Sequence, residues 1–199
     1  MKSLVYKNIV IYRVVMNILY SGKYIKRFED IVETIDPGKE KSIIELCFGD
    51  IFIAEWCKQN KVNWLGFDMN DEFVNFALKK GFNAISMNIR LASKFPKADT
   101  FIISGSLYHF NDILDEFLLK IMNSCSRLII SEPVNTLTNR SGVIGKIAGQ
   151  SANAGSGPED FRFDKEKLIN LLNELCHDRW ILNEINAKNK DIILDIKWK

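Results

Sequence analysis

The sequence predicts a three-layer α/β sandwich, in which helices cover both faces of a seven-stranded, mostly parallel sheet that ends in an antiparallel hairpin. Two observations lead to this prediction. Between residues 42 and 131, short continuous apolar runs alternate with segments of helical periodicity, and strands without an alternating pattern are typical of a parallel sheet covered on both sides. Near the C-terminus, two further apolar runs are separated by only five residues, which is too short for a parallel crossover.

The predicted elements follow one another with few gaps. The strands are expected at Ser42–Cys47, Trp64–Phe67, Ala84–Met87, Thr100–Ser104, Arg127–Ser131, Trp180–Ile185 and Ile192–Trp198. The helices are expected at Lys7–Tyr20, Tyr24–Ile35, Ile51–Gln59, Asp71–Lys80, Ile113–Ser124 and Lys165–Cys176. Asp36-Pro37-Gly38 ends the second helix, because proline cannot continue a helix and glycine tolerates the turn that follows. Gly81 closes the fourth helix.

Length and composition indicate one globular domain over residues 1–199. The chain has 47% apolar and 26% charged residues, the balance of an ordinary soluble domain. No apolar run approaches the roughly 18 residues of a membrane-spanning helix. The four cysteines form no CxxC pair; they are Cys47, Cys57, Cys125 and Cys176. We therefore expect reduced thiols in a cytoplasmic protein, without a disulfide framework or a metal site.

The first 28 residues carry no acidic side chain and six basic ones, namely Lys2, Lys7, Arg13, Lys23, Lys26 and Arg27. Charge asymmetry of this kind is typical of a segment that meets an anionic partner. The first helix is also strongly apolar, and it has two interpretations. Either it packs on the domain as part of an N-terminal helical lid over residues 1–38, or it rests on an anionic membrane surface as a peripheral contact.

A nucleotide site is predicted where the first two strands end. In an open parallel sheet, ligands bind beyond the carboxyl ends of the strands, and the first strand leads into Glu45-Leu46-Cys47-Phe48-Gly49-Asp50. Asp68 follows Gly49 by nineteen residues and ends the second strand. A carboxylate at that point can accept hydrogen bonds from both hydroxyls of an adenosine ribose. The alternative is that Asp68 only caps the helix that follows.

The first loop favours a cationic nucleoside over a phosphorylated one. The dinucleotide fingerprint G-x-G-x-x-G holds a pyrophosphate at a helix N-terminus, whereas this loop has Cys47 and Ile51 where glycines are expected. Asp50 stands at the helix entrance, where its charge would repel a phosphate. S-adenosylmethionine carries a sulfonium and an ammonium group instead, and these suit the acids Glu45 and Asp50. NAD is therefore disfavoured.

These residues resemble the motifs of class I S-adenosylmethionine-dependent methyltransferases, particularly the small enzymes that modify small molecules. The first motif of that family is an acid followed by G-x-G-x-G. Glu45 matches the acid and Gly49 the second glycine, while Cys47 and Ile51 stand at the other two glycine positions. These replacements are compatible with the motif if both residues have ordinary backbone dihedral angles. The resemblance implies a Rossmann-like fold and S-adenosylmethionine as the cofactor.

The resemblance also implies roles for residues further along the chain. Asp68 matches the ribose-binding acid, and Asn88 stands where an aspartate usually faces the adenine amino group, which an amide oxygen can also do. Ser104-Gly105 matches the loop beside the methionine portion of the cofactor. The residues expected to contact the cofactor are Glu45, Cys47, Phe48, Gly49, Asp50, Asp68, Met69, Asn88, Ile89, Ser104, Gly105 and Tyr24.

Methyl transfer depends largely on aligning the acceptor with the methyl group, so no catalytic residue is obligatory. His109 is a candidate general base for a substrate hydroxyl, because imidazoles titrate near neutral pH. The alternative is that it packs beneath the loop. Tyr108 is expected to line the acceptor pocket. Residues 134–160, rich in Gly, Ser and Asn, are expected to form a substrate-side loop that covers this pocket together with the N-terminal helices.

The predicted activity is therefore methylation of a small-molecule acceptor. The sequence lacks a basic tail and the Asn/Asp-Pro-Pro-aromatic motif of DNA amino-methylating enzymes, so no nucleic-acid partner is expected. The main alternative is a non-catalytic, methyltransferase-like binding module with a degenerate cofactor site, since one motif glycine of three is retained. Neither the identity of the acceptor nor an oligomeric state is predicted.

Overall fold

A computed structural model describes residues 4–134, 163–176, 179–185 and 191–198. Its strands are β1 (Ser42–Leu46), β2 (Asn63–Asp68), β3 (Asn83–Ser86), β4 (Thr100–Ser104), β5 (Arg127–Pro133), β6 (Trp180–Ile185) and β7 (Asp191–Trp198). They form one sheet with the order β3-β2-β1-β4-β5-β7-β6. The strands β1 to β5 pair in parallel, and β7 pairs antiparallel with both β5 and β6. The predicted fold class is therefore confirmed.

Six α-helices occur in the described part of the chain, together with short 3₁₀ segments at Leu4–Lys7, Ile89–Leu91 and Leu107–Ile113. The α-helices are α1 (Ile9–Leu19), α2 (Tyr24–Val32), α3 (Phe52–Gln59), α4 (Asp71–Lys79), α5 (Leu114–Met122) and α6 (Lys165–Cys176). Each predicted helix and strand is present, and its ends shift by three residues or fewer. The predicted turn Asn186–Lys190 and residues 135–160 of the predicted substrate-side loop lie outside the described residues.

The sheet separates two apolar clusters. One cluster includes Phe117 of α5 and Leu168 of α6, and the other includes Ile31 of α2 together with residues of α3 and α4. Neighbouring residues of a strand point to opposite faces, so Ile43 and Ile44 of β1 belong to different clusters. Both are at most 3% exposed. This burial on both faces explains why the strands appear in the sequence as continuous apolar runs.

The first helix is held at the surface of the domain. The side chain of Asn8 accepts hydrogen bonds from the Val10 and Ile11 amides, which caps the start of α1. No residue of α1 is fully buried, and the helix meets the domain through half-buried side chains that include Tyr12 and Met16. Within the described ranges, no helix is both long and apolar enough to cross a membrane.

Candidate cofactor site

The carboxyl ends of three parallel strands meet at one edge of the sheet. β1 lies between β2 and β4 and pairs in parallel with both. The strand order therefore reverses at β1, because β2 lies on one side of it and β4 on the other. Open α/β sheets bind ligands at such a switch point. Three residues predicted for the cofactor site lie at these strand ends: Gly49 after β1, Asp68 at the end of β2 and Ser104 at the end of β4.

The loop after β1 contains two residues with left-handed backbone conformation. Gly49 has a φ angle of 58°, and Cys47, at the first glycine position of the motif, has a φ angle of 54°. The expectation of ordinary dihedral angles is therefore wrong for Cys47. It is right for Ile51, whose φ angle is −101°. A side chain on a left-handed residue costs about 1 kcal/mol, so Cys47 keeps the glycine conformation at a cost in stability.

Asp68 connects the ends of β1 and β2. Its Oδ2 atom accepts a hydrogen bond from the Gly49 amide at 3.1 Å, and its Oδ1 atom accepts one from the Asn70 amide at 2.8 Å. The cap of α4 is Asn70, whose side chain accepts from the Glu72 amide, so the alternative role of Asp68 as the helix cap does not hold. Each carboxylate oxygen can accept more than one hydrogen bond.

Glu45 lies fully buried in β1. Its Oε2 atom accepts a hydrogen bond from Trp64 Nε1 at 2.9 Å, while its Oε1 atom has no hydrogen-bond partner among the described residues. Burial raises the pKa of Glu45 well above its ordinary value. Buried polar atoms without a partner are rare in folded proteins and require an explanation, such as a bound ligand.

Two of the residues expected at the cofactor place their side chains in the core. The Phe48 ring packs edge-on against the Trp64 ring, with ring centres 5.3 Å apart, and it is 3% exposed. Ile89 is 4% exposed and belongs to the apolar cluster that includes Phe117. The Phe48 and Ile89 carbonyls also accept hydrogen bonds, from the Asp50 and Ala92 amides respectively, so the expected cofactor contact of these two residues would have to use their backbone amides.

Asp50 has a partner that the sequence analysis missed. Arg13 of α1 donates hydrogen bonds from Nε and Nη2 to the two carboxylate oxygens of Asp50, at 2.9 and 2.7 Å. The Asp50 side chain is fully buried and also accepts from the Ile51 amide. The structure thus gives Asp50 a cationic partner within the protein, and its predicted contact with the cofactor stays a prediction. The signal in the sequence was the interruption of an apolar helix by a single arginine.

Aromatic side chains of the N-terminal helices cover the same loop. The Tyr12 hydroxyl lies 2.9 Å from the position that a Cβ atom would take on Gly49. Burial raises the pKa of Tyr12 to about 12. Tyr24, a predicted cofactor residue, is 2% exposed and packs edge-on against the rings of Tyr12 and Phe28. Its side chain therefore belongs to the packing between α1 and α2.

Arg27 of α2 reaches the loop after β4. Its side chain is 4% exposed, and its Nε atom lies 2.8 Å from Asp191 Oδ2. Neither Nε nor Nη2 forms a hydrogen bond with a residue that the structure describes. The guanidinium packs against Gly105, where an added Cβ atom would collide with Nη2. Gly105 also has a φ angle of 61°, so this loop requires a glycine for two reasons.

The remaining predicted cofactor residues lie near the ends of β2, β3 and β4. The side-chain oxygen of Asn88 accepts a hydrogen bond from the Arg90 amide at 3.1 Å and can accept a second one from a ligand. Met69 is half-buried beside Asp68. Ser104 is half-buried, and its Oγ atom has no hydrogen-bond partner in the described ranges.

The two candidate catalytic residues lie on the 3₁₀ segment directly after β4. Tyr108 is 5% exposed, His109 is half-buried, and their ring centres are 4.0 Å apart. The Leu107 amide donates to Glu132 at 3.1 Å, which fixes the start of this segment to the end of β5. Among the described residues, no group of three or more His, Cys, Asp or Glu side chains could hold a metal ion.

Comparison with known proteins identifies the fold. The sequence matches no protein-family model and no curated protein. In three dimensions, 91% of the chain matches 85% of the magnesium protoporphyrin IX methyltransferase of Synechocystis with bound SAH, with a TM-score of 0.67 and 14% sequence identity. The chain has the Rossmann-like fold of class I methyltransferases.

Other solved structures with this methyltransferase fold differ in length and in what they modify. The mitomycin 7-O-methyltransferase MmcR matches 89% of the chain with a TM-score of 0.64 and 11% identity, and the chain spans 55% of its length. An rRNA methylase from Escherichia coli matches 89% of the chain with a TM-score of 0.56 and 10% identity, and the chain spans 65% of it. At such identities the likeness shows the fold alone, and a fold does not determine a substrate.

Proposed function

We propose that this chain is an S-adenosylmethionine-dependent methyltransferase that acts on a small-molecule acceptor. The observation that carries the proposal is the hydrogen bond between Asp68 and the Gly49 amide. It places a nearly buried carboxylate at the end of β2 beside the glycine loop, where an adenosine ribose would present both of its hydroxyls. The Synechocystis methyltransferase of the same fold holds SAH, which is the cofactor after loss of its methyl group, and this supports the same ligand.

A dinucleotide suits this loop less well. A pyrophosphate binds to free amides at the N-terminus of the helix after the first strand. Here the Asp50 carboxylate lies at that helix start and already accepts from the Ile51 amide. Arg13 neutralises Asp50, so the negative charge of Asp50 opposes a phosphate less than the sequence suggested. The main obstacle is that the Ile51 amide is already occupied.

Three buried polar atoms that have no hydrogen-bond partner within the described part of the chain fit the methionine portion of the cofactor. They are Arg27 Nη2, Glu45 Oε1 and Ser104 Oγ. Arg27 would bind the α-carboxylate, since an arginine and a carboxylate form strong charge-assisted hydrogen bonds. Ser104 offers an acceptor for the ammonium group, and Glu45 offers a second one because a cation at this position favours its ionised form. A buried polar atom without a partner costs about 1–3 kcal/mol, so a ligand that satisfies these atoms gains binding energy from them.

The residues of the chain then hold the reactants in line. Asp68 binds the ribose, Asn88 accepts from the adenine amino group, and Arg27 fixes the opposite end of the cofactor. Bound S-adenosylmethionine supplies an activated methyl group, and alignment of the acceptor with it contributes most of the rate enhancement. His109 takes the proton from an acceptor hydroxyl, and Tyr108 packs against the His109 ring and holds it in position.

Calorimetric titration with S-adenosylhomocysteine tests cofactor binding directly. We expect a micromolar dissociation constant, and we expect Arg27→Lys to raise it about tenfold, because lysine keeps the charge but loses the second N–H group. Arg179→Lys is the matched control and should leave binding unchanged. Arg179 is exposed and directly precedes β6, the edge strand that three other strands separate from β1. Binding of NADH instead would indicate a dehydrogenase. The absence of binding to either ligand would favour the non-catalytic module.

Transfer of a radiolabelled methyl group tests the reaction and the acceptor class. The chain is incubated with labelled S-adenosylmethionine and either a small-molecule extract or purified RNA, and label in the small-molecule fraction is expected. His109→Gln should lower the transfer rate by a factor on the order of 10² and leave the affinity for S-adenosylhomocysteine unchanged. Label in RNA alone would contradict the proposed acceptor class.

The N-terminal helices form a lid in this proposal. The Tyr12 hydroxyl packs on Gly49, so entry of the cofactor requires α1 to move away from the loop. Hydrogen exchange with and without S-adenosylhomocysteine tests this role. Added ligand should slow exchange in α1 and in residues 134–160, whereas unchanged exchange in both segments would contradict a lid.

A further inference from the structure

The first helix presents an apolar strip to solvent. Val10, Val14 and Ile18 are 64%, 55% and 68% exposed, and Ile11 is 47% exposed. At 3.6 residues per turn these four side chains lie within an arc of about 100°. The opposite side of α1 packs on the domain through residues that include Tyr12. Helix α1 is thus apolar on both sides, and only one side is covered by the described part of the chain. We call the four exposed residues the outer strip.

Positive charge lies at both ends of the outer strip. Lys7 precedes α1 and Lys23 follows it, and both are exposed. No acidic residue occurs between Met1 and Phe28. Arg13, the one charged residue within α1, binds Asp50 on the domain side. The first acidic residues after α1 form ion pairs with Lys26, and they are Glu29 and Asp30 of α2 and Glu33 directly after it. The outer strip therefore combines an apolar surface with two lysines at its ends that form no ion pair with a described residue.

We propose that the outer strip docks the protein on an anionic phospholipid surface. A helix that lies in a membrane interface buries an apolar face among the acyl chains, and its flanking lysines contact anionic headgroups. A second copy of the chain fits less well, because a two-fold contact would place the same positively charged patch on both partners. Four side chains also fall short of the roughly 800 Å² per partner of a stable dimer. The inference does not depend on the proposed enzymatic activity.

Co-sedimentation of the full chain with vesicles tests the proposal. We expect binding to vesicles of phosphatidylcholine mixed with phosphatidylserine, weaker binding at high salt, and little binding to phosphatidylcholine alone. The double variant Val14→Asp, Ile18→Asp should lower the partition coefficient at least tenfold. Lys7→Ser and Lys23→Ser should each lower it about fivefold on the anionic vesicles only. Leu91→Asp is the control, because Leu91 is 82% exposed but follows Ile89, which packs on the opposite face of the sheet from α1.

Three results would overturn the proposal. The first is that the parent chain stays in the supernatant with anionic vesicles, and the second is that Leu91→Asp weakens binding as much as the α1 variant. The third is evidence that something other than a membrane covers the outer strip, either a second copy or the chain itself. A dimer that Val14→Asp dissociates, measured by light scattering, would identify a second copy. A fall of much more than about 2 °C in the melting temperature of Val14→Asp would show that the chain itself covers the strip.

Discussion

Arg13 binds both carboxylate oxygens of Asp50, at 2.9 and 2.7 Å, and so joins the first helix to the loop that follows the first strand. The Asp50 side chain is fully buried, whereas that of Arg13 is 37% exposed. Paired hydrogen bonds between arginine and a carboxylate are among the stronger polar contacts in proteins. The position of α1 and the conformation of the glycine loop are therefore coupled through this pair.

The Arg13–Asp50 pair should show a measurable coupling energy. Arg13→Gln leaves a buried carboxylate without its cation, so we expect the free energy of unfolding to fall by about 2 kcal/mol. This loss is smaller than for a wholly buried pair, because Arg13 is partly exposed. With Asp50→Asn as the second variant, a double-mutant cycle in urea should give a coupling of about 1–2 kcal/mol. Additive effects of the two substitutions would show that the contact contributes nothing to stability.

Cys47→Gly should stabilise the protein. The left-handed backbone at Cys47, with a φ angle of 54°, is unfavourable for any side chain, and glycine removes a cost of about 1 kcal/mol. Lys61→Gly is the matched control, because Lys61 has a φ angle of 58° but lies at the end of α3. Both variants should melt at higher temperature. Only Cys47→Gly should change the affinity for S-adenosylhomocysteine, and an equal change in Lys61→Gly would contradict a site role for position 47.

The elements of the fold were predictable because their signals are local. Continuous apolar runs report strands buried on both faces, as at Ile43 and Ile44, and proline or glycine marks the helix ends. The strand ends that carry Gly49 and Asp68 could then be placed at one edge from the rule for parallel sheets. The hydrogen bond between them confirms that these two positions lie together.

The partners of the charged residues were not predictable from the sequence. Asp50 was assigned to a cationic ligand because its spacing in the motif says nothing about Arg13, which lies 37 residues away and contacts it only in the folded chain. The pairing of Arg27 with Asp191 has the same origin. Side-chain direction was also hidden at Phe48, which the motif places beside a ligand but which packs on Trp64.

Asp68→Asn should weaken cofactor binding with little effect on folding. An asparagine oxygen can still accept from one backbone amide, but the charged acceptor for the ribose is lost, and hydrogen bonds to charged groups contribute about 1.5–3 kcal/mol. We therefore expect the dissociation constant for S-adenosylhomocysteine to rise by a factor on the order of 10–100. Asp71→Asn, an exposed change at the start of α4, should leave it unaltered. An unchanged affinity in Asp68→Asn would remove the main support for the ribose site.

Glu45→Gln should change how stability depends on pH. Burial raises the pKa of Glu45 well above the ordinary value of 4.5. At a pH between the ordinary pKa and the raised pKa, the unfolded chain loses a proton that the folded chain retains. The stabilising contribution is then complete below the unfolded pKa and is lost as the pH rises toward the folded pKa.

Glutamine keeps an acceptor for the Trp64 bond but carries no ionisable proton. The variant should therefore gain stability over the parent as the pH rises, by about 1–3 kcal/mol near pH 8 and by much less near pH 4. Thermal melts of both proteins across this range, without ligand, measure the difference directly. A stability difference that stays constant with pH would mean that Glu45 ionises in the folded chain as readily as in the unfolded one.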